Sequence, residues 1–510
     1  MRQVLHIFRK DVRRHWLVIA ISLVLTAAYG RFEVRSWNTL GAQSMGLAFV
    51  FDGRFWAGLA QVLTPVAWCF LVIRLIQDES LVGDRQFWVT RPYEWRKLLG
   101  SKAMFTLLFV CAPLLVLQCY LLVSAGFPPA KYVAGLLWMQ LLMAIFVLVP
   151  AAVLATLTAS LAQWLLALLL VALYFVGMNW LSLLQRNSFG VPDVGDHLVG
   201  YLFAGICAAV IVLQYARRAT VRSRLLVGSF GCVVALAPFI SPHDYFLAKA
   251  YPALQAGQAP PFQLELLPAE NAATEPIGEA EKEVSVRLPL KLTGVPADAI
   301  VDMGGVLATI DGPDGQHWDS GWKSIGAQVF PETTEVRVAF AVGRQEFVRM
   351  QQAPVTVHLE FAYQQFRDED QKSFVIPNGR FDLEGMGCSP GSFAQIRCLI
   401  PMREPRSLLV TSLLSKVTCP LGRKEERLSD EVGRDWIRRD DNSPADFGIS
   451  PVTAKALYLL RTDGRGYSGT SACVGTPVTL SHPREIGSSR ATIELGSVKV
   501  GEYRQASGWR

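Results

Sequence analysis

Few residues in this chain stand at spacings that do chemistry. Asp311, His317 and Asp319 fall close together, the residue types of acid–base work, but in a turn-rich segment where solvated polar side chains are the default. Ser468 and Ser471 stand near glycines without completing the G-x-S-x-G of a nucleophile elbow. His482 precedes a proline, and no H-E-x-x-H occurs. Asp440-Asp441-Asn442 resembles the start of a calcium loop, yet Ala445 occupies the place where such a loop requires glycine. No G-x-x-x-x-G-K-[ST] loop is present to cradle nucleotide phosphates. The expectation is therefore a chain with no catalytic residues of its own, no metal site and no cofactor.

Cysteine usage carries more. Cys69, Cys111, Cys119, Cys207 and Cys232 lie in apolar runs, where a thiol behaves as a small hydrophobe. The other four, Cys388, Cys398, Cys419 and Cys473, cluster late in the chain and suit two disulfides in an oxidising compartment. Of three pairings, Cys388–Cys398 with Cys419–Cys473 is preferred. A zinc site is the rival reading, although no C-x-x-C spacing favours it.

The elements that must hold these residues divide the chain in two. Through residue 241 there are 20 Lys/Arg against 9 Asp/Glu; beyond it there are 29 against 34. The basic half is also the apolar half, a combination that points to anionic lipid headgroups rather than nucleic acid. Seven apolar stretches approach the length of a bilayer crossing: Trp16–Gly30, Trp56–Gln77, Ala103–Ala125, Tyr132–Thr156, Trp164–Leu184, Leu198–Tyr215 and Leu225–Ser241. The last contains Gly228, Gly231 and Pro238, which a re-entrant segment also would. The first has a long basic lead-in, and Thr26-Ala27-Ala28-Tyr29 is a poor small-residue cleavage site, so it reads as a retained anchor rather than a signal peptide.

With the N-terminus in the cytoplasm, inner segments hold fourteen Lys/Arg and outer loops five, namely Arg31, Arg35, Arg54, Lys131 and Arg186. That bias sets the orientation, and seven crossings then deliver the second half to the outer face. Trp16, Trp56, Trp88, Trp95, Tyr132, Trp164 and Tyr215 stand where span ends meet headgroups. Arg74 is an interfacial anchor that snorkels, and span interiors are nearly free of ionisable groups, which argues against a proton-coupled transporter.

Between the second and third stretches runs a loop from Asp78-Glu79 through Gly83, Phe87-Trp88 and Pro92 to Arg96 and Lys102. Leu81, Val82, Phe87, Trp88 and Val89 give it an apolar side that can lie on a membrane surface, and Pro92 disfavours helix at Arg91. This arrangement resembles the cytoplasmic loop of ABC-2 type transporter permeases, in which such an element couples to an ATPase. The resemblance covers this loop, the basic N-terminal tail and the span layout. It implies that Glu79, Gly83, Pro92, Arg96 and Lys102 contact an ATPase or shape the elbow. It also implies an ABC ATPase on a separate chain, with two membrane subunits assembled as a homodimer or with a related permease. The second half departs from that family's usual layout.

After a linker over 242–275, strand-period alternation dominates 276–510. Val284, Val286, Leu288, Leu290 and Leu292 share one face; Val336, Val338, Phe340 and Val342 another; Val355, Val357, Leu359, Phe361 and Tyr363 a third; Ile493 and Leu495 mark a late strand. Turn signals at Asp311–Gly315 and Pro377-Asn378-Gly379 punctuate them. The expected architecture is an α-helical polytopic membrane domain over 1–241, with about seven spanning helices. It is followed by an all-β domain, a sandwich of one or two immunoglobulin-like modules divided near residue 380. The expected function is the permease subunit of an ATP-driven exporter in the cell's inner membrane, with the β domain periplasmic or extracellular. The alternative is a multi-span anchor displaying a binding or sensing domain.

Overall fold

The computed structural model describes residues 2–37, 53–79, 94–183, 189, 194–240, 243–255, 258–269, 282–312, 315–331, 333–390, 396–402, 407–413, 432–438, 449–457, 460–461 and 474–505. Its first helix, α1 (Arg2–Trp37), runs unbroken through the expected boundary between tail and span at Trp16. Nothing in the segment interrupts it, since it holds no proline and a single glycine, Gly30. The buried side chains of α1 are Ile7, Asp11, His15, Ile19, Ser22, Thr26, Tyr29 and Trp37, one helical stripe and largely polar. Trp16, Leu17, Ile21 and Val24 are 50–67% exposed. Polar inside and apolar outside is the reverse of a water-soluble helix and suits a hydrocarbon surround.

α2 (Gly53–Gln77), α3 (Trp95–Ala125), α4 (Pro129–Leu157), α5 (Leu161–Leu183) and α6 (Val194–Arg217) follow. Together with α1 they make six helices, among the described residues, long and apolar enough to cross a membrane. The seventh apolar stretch is helical as well, forming α7 (Thr220–Ile240). α3 and α4 widen into π turns over Leu107–Cys111 and Ala144–Leu148, just before Pro113 and Pro150. A proline lacks the N–H for its own helical bond and crowds the preceding turn, which a widened turn relieves. Trp68, Leu71, Phe105, Leu121 and Leu122 fill the bundle's core. There Trp68 Nε1 donates to Thr26 Oγ1 at 3.3 Å, and Thr26 donates to the Ser22 carbonyl at 2.8 Å.

The second half is built of antiparallel sheets. β1 (Gln263–Leu266), β2 (Glu283–Thr293) and β5 (Glu335–Gly343) form one. A second has the order β16 (Arg484–Val498), β6 (Val355–Arg367), β3 (Ala299–Asp311), β4 (His317–Val329). The alternating residues read from the sequence on β2, β5 and β6 meet in one core, where Leu495 is buried and Ile493 packs alongside. A further pair of sheets has the orders β13 (Val452–Leu457), β10 (Ile396–Pro401), β9 (Met386–Pro390), β8 (Phe381–Leu383), and β14 (Leu460–Arg461), β12 (Val432–Arg438), β11 (Ser407–Leu413), β15 (Pro477–Ser481), β7 (Lys372–Val375). Ile376, Leu383, Met386, Ile396, Leu408, Val410 and Leu480 make its core. Because β6 and β16 pair from Arg367–Arg484 to Val355–Val498, residues 372–481 leave and return between neighbouring strands of one sheet. The stretch read as a linker, 242–275, contains helix α8 (His243–Ala250) and β1. Leu247 and Tyr251 there are buried with Phe189 and Trp322.

Cys388 and Cys398 stand opposite one another on β9 and β10 and form a disulfide; Cys419 and Cys473 lie outside the described residues. The bond closes a loop with a sequence separation of 10. On the chain-entropy account, replacing both cysteines by alanine costs the β half about 2–3 kcal/mol. The check is a lowered urea midpoint for this half of the purified protein; an unchanged midpoint contradicts it.

Candidate functional site

The start of α1, the end of α2, the start of α3 and the end of α6 converge at one end of the bundle, hereafter its foot. Lys102, on the second turn of α3, is 4% exposed. Its Nζ lies 2.8 Å from Asp11 Oδ2 of α1 and 3.1 Å from Glu79 Oε1, just past α2. Asp11 is itself only 2% exposed. Beside them Asp78 Oδ2 lies 2.8 Å from Arg14 Nε and 2.9 Å from His15 Nε2. Tyr215 of α6, 3% exposed, stands in the field of Glu79 and Asp11. Three helices are thus tied by one ammonium group shared between two carboxylates, at a depth where an unpaired charge is costly.

Position on the helices explains the meeting. Asp11 and His15 are four residues apart, so they share the inward stripe of α1, and α1 has no other acid before Glu33. Burial alone raises the Asp78 pKa. The neighbouring His15, Arg14 and Lys102 outweigh that effect, and its carboxyl sits below the ordinary value.

Of the residues that the sequence singled out in the loop, Glu79 and Lys102 are brought together. Arg96 is exposed on the first turn of α3, its guanidinium 5.3 Å from the centre of the Trp95 ring. Gly83, Phe87, Trp88 and Pro92 lie outside the described residues. Sequence reading missed Asp11, His15, Asp78 and Tyr215 as members of the network. The signal available was the i, i+4 spacing of Asp11 and His15 within the basic start of α1; nothing local marks Asp78 or Tyr215 as their partners.

The other candidates disperse. Asp311 pairs with His317 at 2.7 Å and also with His358 at 3.3 Å; all three side chains are at least one-third exposed, where ion pairs contribute little. Asp319 instead accepts from the Gly321 N–H at 2.9 Å. His482 lies 3.7 Å from Glu384, whose carboxyl is drawn down chiefly by its hydrogen bond with Lys372. Ser468, Ser471 and residues 440–445 lie outside the described residues. Among the described residues, no three His, Cys, Asp or Glu side chains are placed to hold a metal.

The β half meets the bundle at its opposite end, the mouth. Gln118 Nε2 of α3 donates to the Ile449 carbonyl at 3.2 Å, and Arg380 donates to the Ala125 carbonyl. Met402 packs on Gly135 of α4. Ile449 and Val452 are buried in the helical core itself. Phe189 lies against Gly304 and Gly305, where a Cβ on Gly305 would come within 2.5 Å of the ring.

Removing one partner of a buried ion pair leaves the other uncompensated. Lys102→Met or Asp11→Asn is expected to cost about 3–5 kcal/mol, and the double variant markedly less than the sum. Unfolding in mixed micelles measures the cycle; strict additivity contradicts the network.

No family model matches this chain, and no curated protein matches it. Among solved structures, red sea bream transglutaminase is similar at 7% identity, over 56% of this chain and 35% of that one, with a TM-score of 0.13. The chain spans about a third of that protein's length, and so loose a likeness carries no argument about fold or activity.

Proposed function

We propose that this chain is the membrane-spanning permease subunit of an ATP-driven export system of the ABC-2 type, its ATPase carried on a separate polypeptide. The observation that supports this most is Lys102 holding Asp11 and Glu79 together. A loop that passes force from a soluble motor to a helical bundle needs both its ends anchored to the parts that move. Residues 80–93 begin next to Glu79 and end just before α3. A push on that segment therefore reaches α1, α2 and α3 together. The two membrane subunits needed are a homodimer or a pairing with a related permease.

The orientation we infer puts the foot in the cytoplasm and the β half outside, with α7 as a seventh crossing and two sandwich modules beyond it. Three observations support it. Fourteen basic residues sit on the inner segments against five on the outer loops. The β half touches the bundle at Ala125, Gly135 and Phe189, near the helix ends and loops that this bias assigns outside. The Cys388–Cys398 disulfide suits an oxidising compartment.

Arg96 offers the cleaner test because it is exposed and makes no part of the ion network. Arg96→Glu, alone and with Glu79→Lys, is expected to weaken co-purification with the partner ATPase by about tenfold, equivalent to about 1.4 kcal/mol. ATP hydrolysis stimulated by the membrane subunit falls in parallel. Undiminished association and hydrolysis in both variants contradict the coupling role.

A further inference from the structure

One segment of the β half lies inside the helical bundle. Ile449 and Val452 are each 2% exposed and share a core with Tyr29 of α1 and Leu114, Leu117 and Leu121 of α3. Gln118 of α3, 1% exposed, donates from Nε2 to the Ile449 carbonyl at 3.2 Å. Its Oε1 accepts from Gln140 Nε2 of α4 at 3.0 Å. Gln118 precedes Ala125, where α3 ends, by seven residues (125 − 118). At about 1.5 Å per residue, the Ile449 carbonyl is therefore held about 10 Å inside the end of that helix. Backbone outside a helix is tolerated at such a depth only where protein or a water-filled cavity surrounds it. A carboxamide pair on two apolar helices supplies the donor that this carbonyl needs.

The segment is built to separate from the helices. Ser450 Oγ donates to the Val452 carbonyl at 2.8 Å and accepts from the Val452 N–H at 3.3 Å. The Met402 N–H donates to the Pro451 carbonyl at 3.1 Å, and Pro451 has no N–H to satisfy. The polar groups of Pro451 and Val452 are thus met within the β half, while Ser450 also reaches Tyr29 and Glu33 of α1. Gln118 keeps Gln140 as a partner when Ile449 leaves, so its carboxamide is not stranded alone. Val452, Thr453 and Ala454 also border a cavity of about 310 Å³ shared with Tyr29 of α1 and Gln61 of α2; part of the seat is open space. β13 carries the segment and pairs with β10 from Pro401–Val452 to Ile396–Leu457. The disulfide joins β10 to β9, so the segment travels with its sheet.

We propose that residues 449–454 are a plug: seated, they close the mouth of the bundle, and withdrawal of their sheet opens a water-filled vestibule that reaches past Gln118. The β half is then the outer gate of the path that the coupling loop works from the foot. The inference deepens the export reading and rests on it for what the gate passes. The movement of the gate is measured without an ATPase.

The test uses the full chain in nanodiscs, with the free cysteines replaced and single cysteines introduced. Leu114→Cys lies one turn deeper than Gln118 on the same face; Val116→Cys lies on a position that is 70% exposed toward lipid. A hydrophilic thiosulfonate is expected to modify Leu114→Cys about a hundredfold more slowly than Val375→Cys on the β surface, because only the opened minority reacts. Ile449→Ser with Val452→Ser raises the Leu114→Cys rate by about tenfold or more and leaves Val116→Cys within about twofold. Met402 packs on Gly135. Bridging Gly135→Cys to Met402→Cys with a short bifunctional thiosulfonate, before the probe is added, lowers the residual Leu114→Cys rate by about tenfold. Circular dichroism checks that the variants fold. Should the double serine variant fail to fold, Ile449→Ala alone carries the test with a rise of about threefold. The proposal is overturned if Leu114→Cys in the parent reacts as fast as Val375→Cys, or if folded plug variants leave its rate unchanged. It is equally overturned if Val116→Cys rises as much, or if the bridge leaves the residual rate as it was. None of these results bears on ATPase association, which the Arg96→Glu comparison reads separately.

Discussion

One ammonium group, that of Lys102, sets the geometry of the foot. Buried and shared between Asp11 and Glu79, it fixes how α1 is rotated and where it stands along its axis relative to α2 and α3. Any rotation of α1 would turn Asp11 out of the network, leaving its carboxylate unpaired and Lys102 with Glu79 alone, at a cost of several kcal/mol. Once that rotation is set, helical periodicity carries it along the rod. Ser22 and Thr26 face Trp68 midway, and Tyr29 and Glu33 face Ser450 at the mouth. The foot and the mouth are therefore two readings of one stripe on one helix.

The rest of the bundle follows from its surround. α5 leaves Leu165, Leu169, Leu173 and Val176 more than half exposed, an apolar area that water would not tolerate on a stable monomer. In hydrocarbon the same surface costs nothing, and the polar groups are the ones that must turn inward. At the mouth the rule shifts again: Ile449 and Val452 of the β half enter the helical core, so the two halves share part of one core.

Much of this was legible in the sequence, because periodicity survives without knowledge of partners. The apolar stretches became helices with ends displaced by five residues or fewer, apart from α1, where no breaker separates tail from span, and α3, which begins at Trp95 rather than Ala103. The alternating residues of β2, β5 and β6 lie on the buried faces assigned to them, and Cys388 pairs with Cys398. What could not be read are contacts whose partners are distant along the chain. Lys102 and Asp11 are 91 residues apart, and neither alone departs from an ordinary interfacial charge. His358 joins Asp311 only because β3 and β6 are neighbours. The return of β16 beside β6 leaves no local mark, since alternation reports a face and not a neighbour.

The central claim is that the two ends of the bundle face different compartments, and impermeant thiol labelling tests it most directly. Single cysteines are placed at Arg13, exposed at the foot, and at Val375, 58% exposed on the β half, with the free cysteines replaced. The account predicts that intact cells label the Val375 position readily and the Arg13 position only after permeabilisation. Equal labelling of both positions in intact cells, or the reverse order, would contradict it.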